Sequence, residues 1–175
     1  MIKNNKGFSY VEMILVLGII AIMMGIIALS TNLIGRTNVN KGCDNLNNAL
    51  TQARTATMAK GNFDCAMSIF CEDGKYYYYI GDPYSTERSV DKIEFASLPV
   101  NITYTIKSAP GIAYTLGEGD VLVVEYYATS GAFSLSDLPD GAPVDMDFIE
   151  TISFVHKDKM CSIRCYPATG KTVIE

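Results

Sequence analysis

The sequence predicts an α+β protein: a long N-terminal α-helix, transmembrane in its first half, packed on a C-terminal antiparallel β-rich globular domain. Three observations predict it. Phe8 to Leu29 is almost wholly apolar. A stripe of residues at helical spacing then continues to Thr57. Beyond Gly61, short apolar or alternating segments are punctuated by Gly, Pro, Asp and Asn. The expected organisation is 1–7 leader peptide, 8–29 transmembrane and assembly helix, 30–61 amphipathic continuation, and 62–175 β-rich domain.

The leader, Met1 to Gly7, carries Lys3 and Lys6 and no acid. Positive charge on a short leading segment places that end in the cytoplasm. The expected location is therefore the cytoplasmic membrane, single-pass, with the N-terminus cytoplasmic and the globular domain outside. Phe8 to Leu29, read as one helix rising about 1.5 Å per residue, reaches across a bilayer core of roughly 30 Å. Its polar side chains are Ser9, Tyr10 and Glu12. A carboxylate in a membrane helix costs about 2.5–3.5 kcal/mol, so Glu12 calls for a partner. If the chain is cut between Gly7 and Phe8, the new α-amino group lies one helical turn from Glu12. The two charges then pair within a chain or between neighbouring helices, which favours lateral assembly in register. Two rivals use the same stretch: a secretory signal cut at Ala28-Leu29-Ser30, and an uncut signal anchor. Glu12 and the length of the run count against the first.

Val39, Cys43, Leu46, Leu50, Ala53 and Thr57 form one stripe along a helix, with Arg36, Lys41, Asp44 and Lys60 off it. Gly61 supplies the stop. Gly35 and Gly42 predict a kink or fray between Ser30 and Gly42. The strands follow. Cys65 to Phe70 and Tyr76 to Ile80 flank the hairpin turn Asp73-Gly74. Asn101 to Lys107 alternates. Val121 to Tyr127 reads as a central strand, being apolar apart from Glu125. Thr151 to His156 and Met160 to Tyr166 flank a Lys157-Asp158-Lys159 turn, and Lys171 to Ile174 is a last short strand.

Lys6-Gly7-Phe8-Ser9-Tyr10-Val11-Glu12, followed by the apolar Met13 to Ile22, resembles the class III signal of type IV pilins and pseudopilins. Leu50, Ala53-Arg54 and Ala56 resemble the corresponding helix of H-type minor pseudopilins and related minor pilins. The resemblance implies cleavage by prepilin peptidase after Gly7, N-methylation of Phe8, and recruitment into a fibre through Glu12. It also implies a structural subunit of a type IV pilus, competence pilus or type II secretion filament, with other pilin or pseudopilin subunits as partners through helix packing. Ser9 and Tyr10 depart from the commoner threonine and leucine. The alternative on the same anchor is a pilus-tip adhesin or a DNA-uptake binding subunit.

Composition narrows the chemistry. Hydrophobic residues make up 49% and charged residues 19%, the net charge is −5, and there is one histidine. An acidic balance argues against a general nucleic-acid binder, whose affinity rests on Lys and Arg at phosphates. Lys157, Lys159, Arg164 and Lys171 leave a weak basic patch that DNA could touch. No enzyme, small-molecule substrate or cofactor is expected. His156, with Ser153 and Asp158 near in sequence, reads as a surface histidine in a turn rather than part of a triad. Gly117-Glu118-Gly119-Asp120 reads as a turn, because its acids repel phosphate. The acidic loop Asp137, Asp140, Asp145, Asp147 and Glu150 matches no 12-residue calcium loop, so no metal site is assigned. Tyr76 to Tyr79 alternate, leaving one aromatic pair exposed.

Cysteines 161 and 165 lie about 13 Å apart along one strand, beyond the roughly 7 Å α-carbon limit of a disulfide. Cys65 and Cys71 fail the same test. Any bridge therefore joins the 65/71 set to the 161/165 set and leaves Cys43 unpaired; buried free thiols and zinc remain open alternatives.

Overall fold

The structure is a computed structural model that describes residues 9–60, 66–85, 90–140 and 142–175, with side chains described on these except at 26–34. The leader, including Gly7, and Phe8, Gly61 and Cys65 lie outside the described residues. The chain divides into two compact units, Met1–Gly35 and Arg36–Glu175. The α-helical backbone, α1, is Tyr10–Lys60. Its described side chains fall into two shorter stretches, 10–25 in the first unit and 35–60 ending in the second.

This corrects the expected long helix with a transmembrane first half. Among the described residues no helix is long and apolar enough to cross a membrane. The described apolar part, 10–25, amounts to about 24 Å at 1.5 Å per residue, short of a core of roughly 30 Å. The expectations of a transmembrane helix and of a single-pass location in the cytoplasmic membrane fall with it.

Among the described residues of the second unit, eleven strands make two antiparallel sheets. The first contains β1 (Ala66–Glu72), β2 (Lys75–Gly81), β3 (Ile93–Ser97), β6 (Val121–Val124), β7 (Ser136–Asp137) and β8 (Met146–Asp147). Its order is β3-β2-β1-β6-β7-β8. The second contains β4 (Asn101–Ile106), β5 (Ala113–Thr115), β9 (Ile149–His156), β10 (Lys159–Tyr166) and β11 (Lys171–Ile174), ordered β11-β10-β9-β4-β5. Asp73 and Gly74, both at positive φ, turn β1 into β2 as expected. The β9–β10 turn is tighter than expected: Lys157, also at positive φ, and Asp158 make it, and Lys159 already pairs with His156. β6 lies inside the first sheet between β1 and β7, as a central strand should. The short strands β3, β5, β7 and β8 had no counterpart in the expected set.

The predicted stripe is buried. Val39, Cys43, Leu46, Leu50 and Ala53 are fully enclosed, and Thr57 nearly so, while Arg36, Lys41, Asp44 and Lys60 are exposed. Val39, Cys43, Leu46, Leu50 and Ala53 share one core with Met67, Ile69, Phe95, Leu122 and Val124 of the first sheet and with Ile102, Ile152, Phe154 and Ile163 of the second. Asn47 Oδ1 accepts from Thr172 Oγ1 of β11 at 2.6 Å. Arg54 Nε donates to the Gly131 carbonyl at 2.9 Å. Gly42 corrects the expectation of a soft point. A Cβ there would sit 3.0 Å from the Phe154 ring and 3.2 Å from Ala96 Cβ. The missing side chain lets the helix approach both sheets closely, and helical backbone continues through it.

Candidate functional site

The N-terminal helical part begins with a local hydrogen-bonding arrangement beyond the sequence-based expectations. Ser9 Oγ accepts from the Val11 N–H at 3.3 Å, and Glu12 Oε2 accepts from the Ser9 N–H at 2.9 Å. A serine followed three residues later by a glutamate, with the glutamate reaching back, is a capping box. It satisfies backbone donors that the first turn of a helix leaves open. Glu12, the residue expected to pair with a processed N-terminus, therefore caps its own helix here. The Ser-x-x-Glu spacing before an apolar run was the signal that could have found it.

Every residue from Tyr10 to Gly25 is exposed, and Glu12 is the one charged residue among them. Tyr10, Val11, Met13, Ile14, Leu15, Val16, Leu17, Ile19, Ile20, Ile22, Met23 and Met24 all present apolar surface. A surface helix normally shows one apolar stripe; a helix apolar on every side is one that belongs in the interior of something. Covering each such side chain is worth about 1.5–3 kcal/mol.

The residues singled out for chemistry do not converge. His156 is buried rather than in a surface turn: it shares the inward parity of Ile152 and Phe154 on β9. Its Nδ1–H donates to the Pro99 carbonyl at 3.0 Å, and its Nε2 has no partner among the described residues. Ser153 bonds Ser162 at 2.9 Å, and Asp158 pairs with Arg36, so each candidate triad member is engaged elsewhere.

The Gly117–Asp120 turn clasps the chain's own hairpin. Glu118 accepts from the Asp73 N–H at 2.6 Å and the Gly74 N–H at 3.2 Å. The bond from Gly74, then that from Asp73, holds the Glu118 carboxyl below the usual carboxylate range. In the acidic loop, Asp137 accepts from Tyr84 OH at 2.6 Å, and Asp147 accepts from the Ser108 N–H at 2.8 Å. Among the described residues no three His, Cys, Asp or Glu side chains gather as a metal-binding group. In the basic patch, Arg164 lies 3.3 Å from Glu175. Tyr76 and Tyr78 both pack on Phe95, while Tyr77 stacks on Phe70 beneath the Lys92 ammonium. Tyr79 is buried as well, so the expected exposed pair is largely covered.

Cys43, Cys71, Cys161 and Cys165 are free thiols. Cys71 faces Glu118 at 3.6 Å, and burial, reinforced by that carboxylate, pushes its thiol up to about 11. Burial alone takes Cys165 to about 12. The helix cysteine expected to stand alone is the one with a thiol neighbour: Cys43 Sγ lies 2.7 Å from Cys161 Sγ.

No protein-family model, curated protein or solved structure matches the chain.

Proposed function

We propose that the chain is a structural minor pilin or pseudopilin. It is processed by prepilin peptidase between Gly7 and Phe8, methylated at Phe8, and assembled into a type IV-class filament through its N-terminal helix. The observation that carries this reading is the 10–25 stretch, apolar and exposed all round with a single carboxylate at its start. Sister helices packed alongside remove that surface from water, and the gain multiplies along a fibre.

Glu12 has two carboxylate oxygens. One accepts from the Ser9 N–H within its own helix. The other can take the new amine of a neighbouring Phe8, so capping and assembly do not exclude each other. A neighbour out of register would leave both charges unmatched, and this gives the assembly its axial selectivity.

The test is intact mass and N-terminal sequencing of the full chain expressed with a prepilin peptidase. A chain starting at N-methylated Phe8 is expected. A chain still starting at Met1, or one starting near Thr31, rejects the reading.

A further inference from the structure

We infer that Cys43 and Cys161 form an oxidation site that closes into a disulfide, fastening the 35–60 helical part to β10. The inference concerns the second unit alone and stands apart from the proposed function.

Neighbouring contacts converge on this pair. Gly42 lets the helix come against Phe154. Phe154 is the cross-strand partner of Cys161 in the β9–β10 register. Cys43, the next residue along the helix, is thereby brought over Cys161. The two sulfurs are 2.7 Å apart, and a formed bond of about 2.05 Å requires only a sub-ångström closure. Both residues have the right parity. Cys43 belongs to the buried stripe, and Cys161 alternates with the buried Ile163 and Cys165 on the inner face of β10.

The chemistry needs an external disulfide as oxidant, such as oxidised glutathione or a thiol oxidase's exchangeable disulfide. Cys161, the partly exposed member, attacks as thiolate. It bonds to one sulfur of the oxidant and expels the other as a thiolate. Cys43 then passes its proton to that thiolate and attacks Cys161 Sγ, expelling the second thiolate, which takes up the proton lost by Cys161. The protein gives up two protons and two electrons, and the oxidant leaves as two thiols. The order of attack follows from access and from charge. Burial above all, and then the bond to Cys161, hold the Cys43 thiol far above its ordinary range, so it is the poorer first nucleophile and attacks only once Cys161 is held as a mixed disulfide beside it.

The experiment is disulfide mapping of the full chain after equilibration with oxidised glutathione, blocking with N-ethylmaleimide in denaturant so that the buried thiols are reached, and digestion with trypsin. Cleavage after Lys41, Arg54, Lys159 and Arg164 puts Cys43, Cys161 and Cys165 on separate peptides, and Cys65 and Cys71 on a fourth. The expected result is a peptide 42–54 joined to 160–164 as the dominant cross-link, with both cysteines losing their maleimide label while Cys165 keeps it. Reductant should restore both labels together. Cys161→Ser should restore the Cys43 label in a chain whose folding is checked by circular dichroism. In the unsubstituted chain, full labelling of Cys43 and Cys161 after oxidation overturns the inference, as does a dominant bridge to any other cysteine.

Discussion

Between residues 10 and 25 every side chain meets solvent, whereas the 35–60 stretch shuts one face away behind two sheets. Both stretches belong to α1, so backbone geometry cannot be what separates them. Patterning does. In the second stretch the apolar residues return every three or four positions, and a single chain can supply the surface that covers them. In the first they occupy all sides, and no one face of a folded domain can do so. The first stretch therefore carries an unmet need for neighbours, and the second has already met its own.

Paired substitutions sharpen or break this contrast. Leu50→Ala should cost about 2–5 kcal/mol, because a fully buried leucine leaves a cavity. Leu17→Ala should leave the free chain's stability within about 0.5 kcal/mol while weakening association between copies. Urea unfolding and sedimentation measure the two effects; equal stability losses would mean that the exposed stretch is covered by its own chain.

The same glycine-to-alanine change should have opposite signs in the two stretches. At Gly42 the added methyl meets the enclosed Phe154 ring, and a penalty of about 1–3 kcal/mol outweighs the helix-propensity gain. At Gly18 the methyl meets nothing within 4 Å, so propensity favours alanine by about 1 kcal/mol. Thermal unfolding should show the loss at Gly42, and amide exchange of the first stretch should show the gain at Gly18.

Smaller effects follow. Ser9→Ala removes one half of the capping box and should cost about 0.5–2 kcal/mol of local helix stability, read as faster amide exchange in the first turn with the sheets unaffected. Thr172→Val removes the hydrogen bond to Asn47 and should cost about 0.5–1.5 kcal/mol in urea unfolding of the second unit.

What can be read from the sequence depends on how locally each feature is encoded. The buried stripe from Val39 to Thr57 repeats over several turns, so its period is plain from residue order alone. Asp73-Gly74 announces its turn because positive φ favours those residue types. β7 and β8 hold two residues each, too few for a period, and β3 mixes exposed Ile93 and Glu94 with buried Phe95 and Ala96. His156 reads as a turn residue from its neighbours Lys157 and Asp158, although its parity with Ile152 and Phe154 marks it for the interior. For the thiols, parity alone could place Cys43 and Cys161 on core-facing positions. Which cysteine meets which depends on contacts 118 residues apart in the chain, and no local pattern records these. The expected membrane span rests on one unbroken apolar helix, and the described helical residues do not provide it.

The bond between Asn47 and Thr172 joins residues 125 positions apart in the sequence. At synthesis rates of about 5–20 residues per second, Thr172 is made some 6–25 seconds after Asn47. Through that interval the helix has emerged, but β9, β10 and β11 have yet to be completed. Leu46 and Leu50 must wait for their second sheet, and a chaperone that binds apolar helices has that long to find them. Ribosomes stalled before β10 should therefore hold a nascent chain that proteases cut readily, and emergence of β11 should let the domain close in one step.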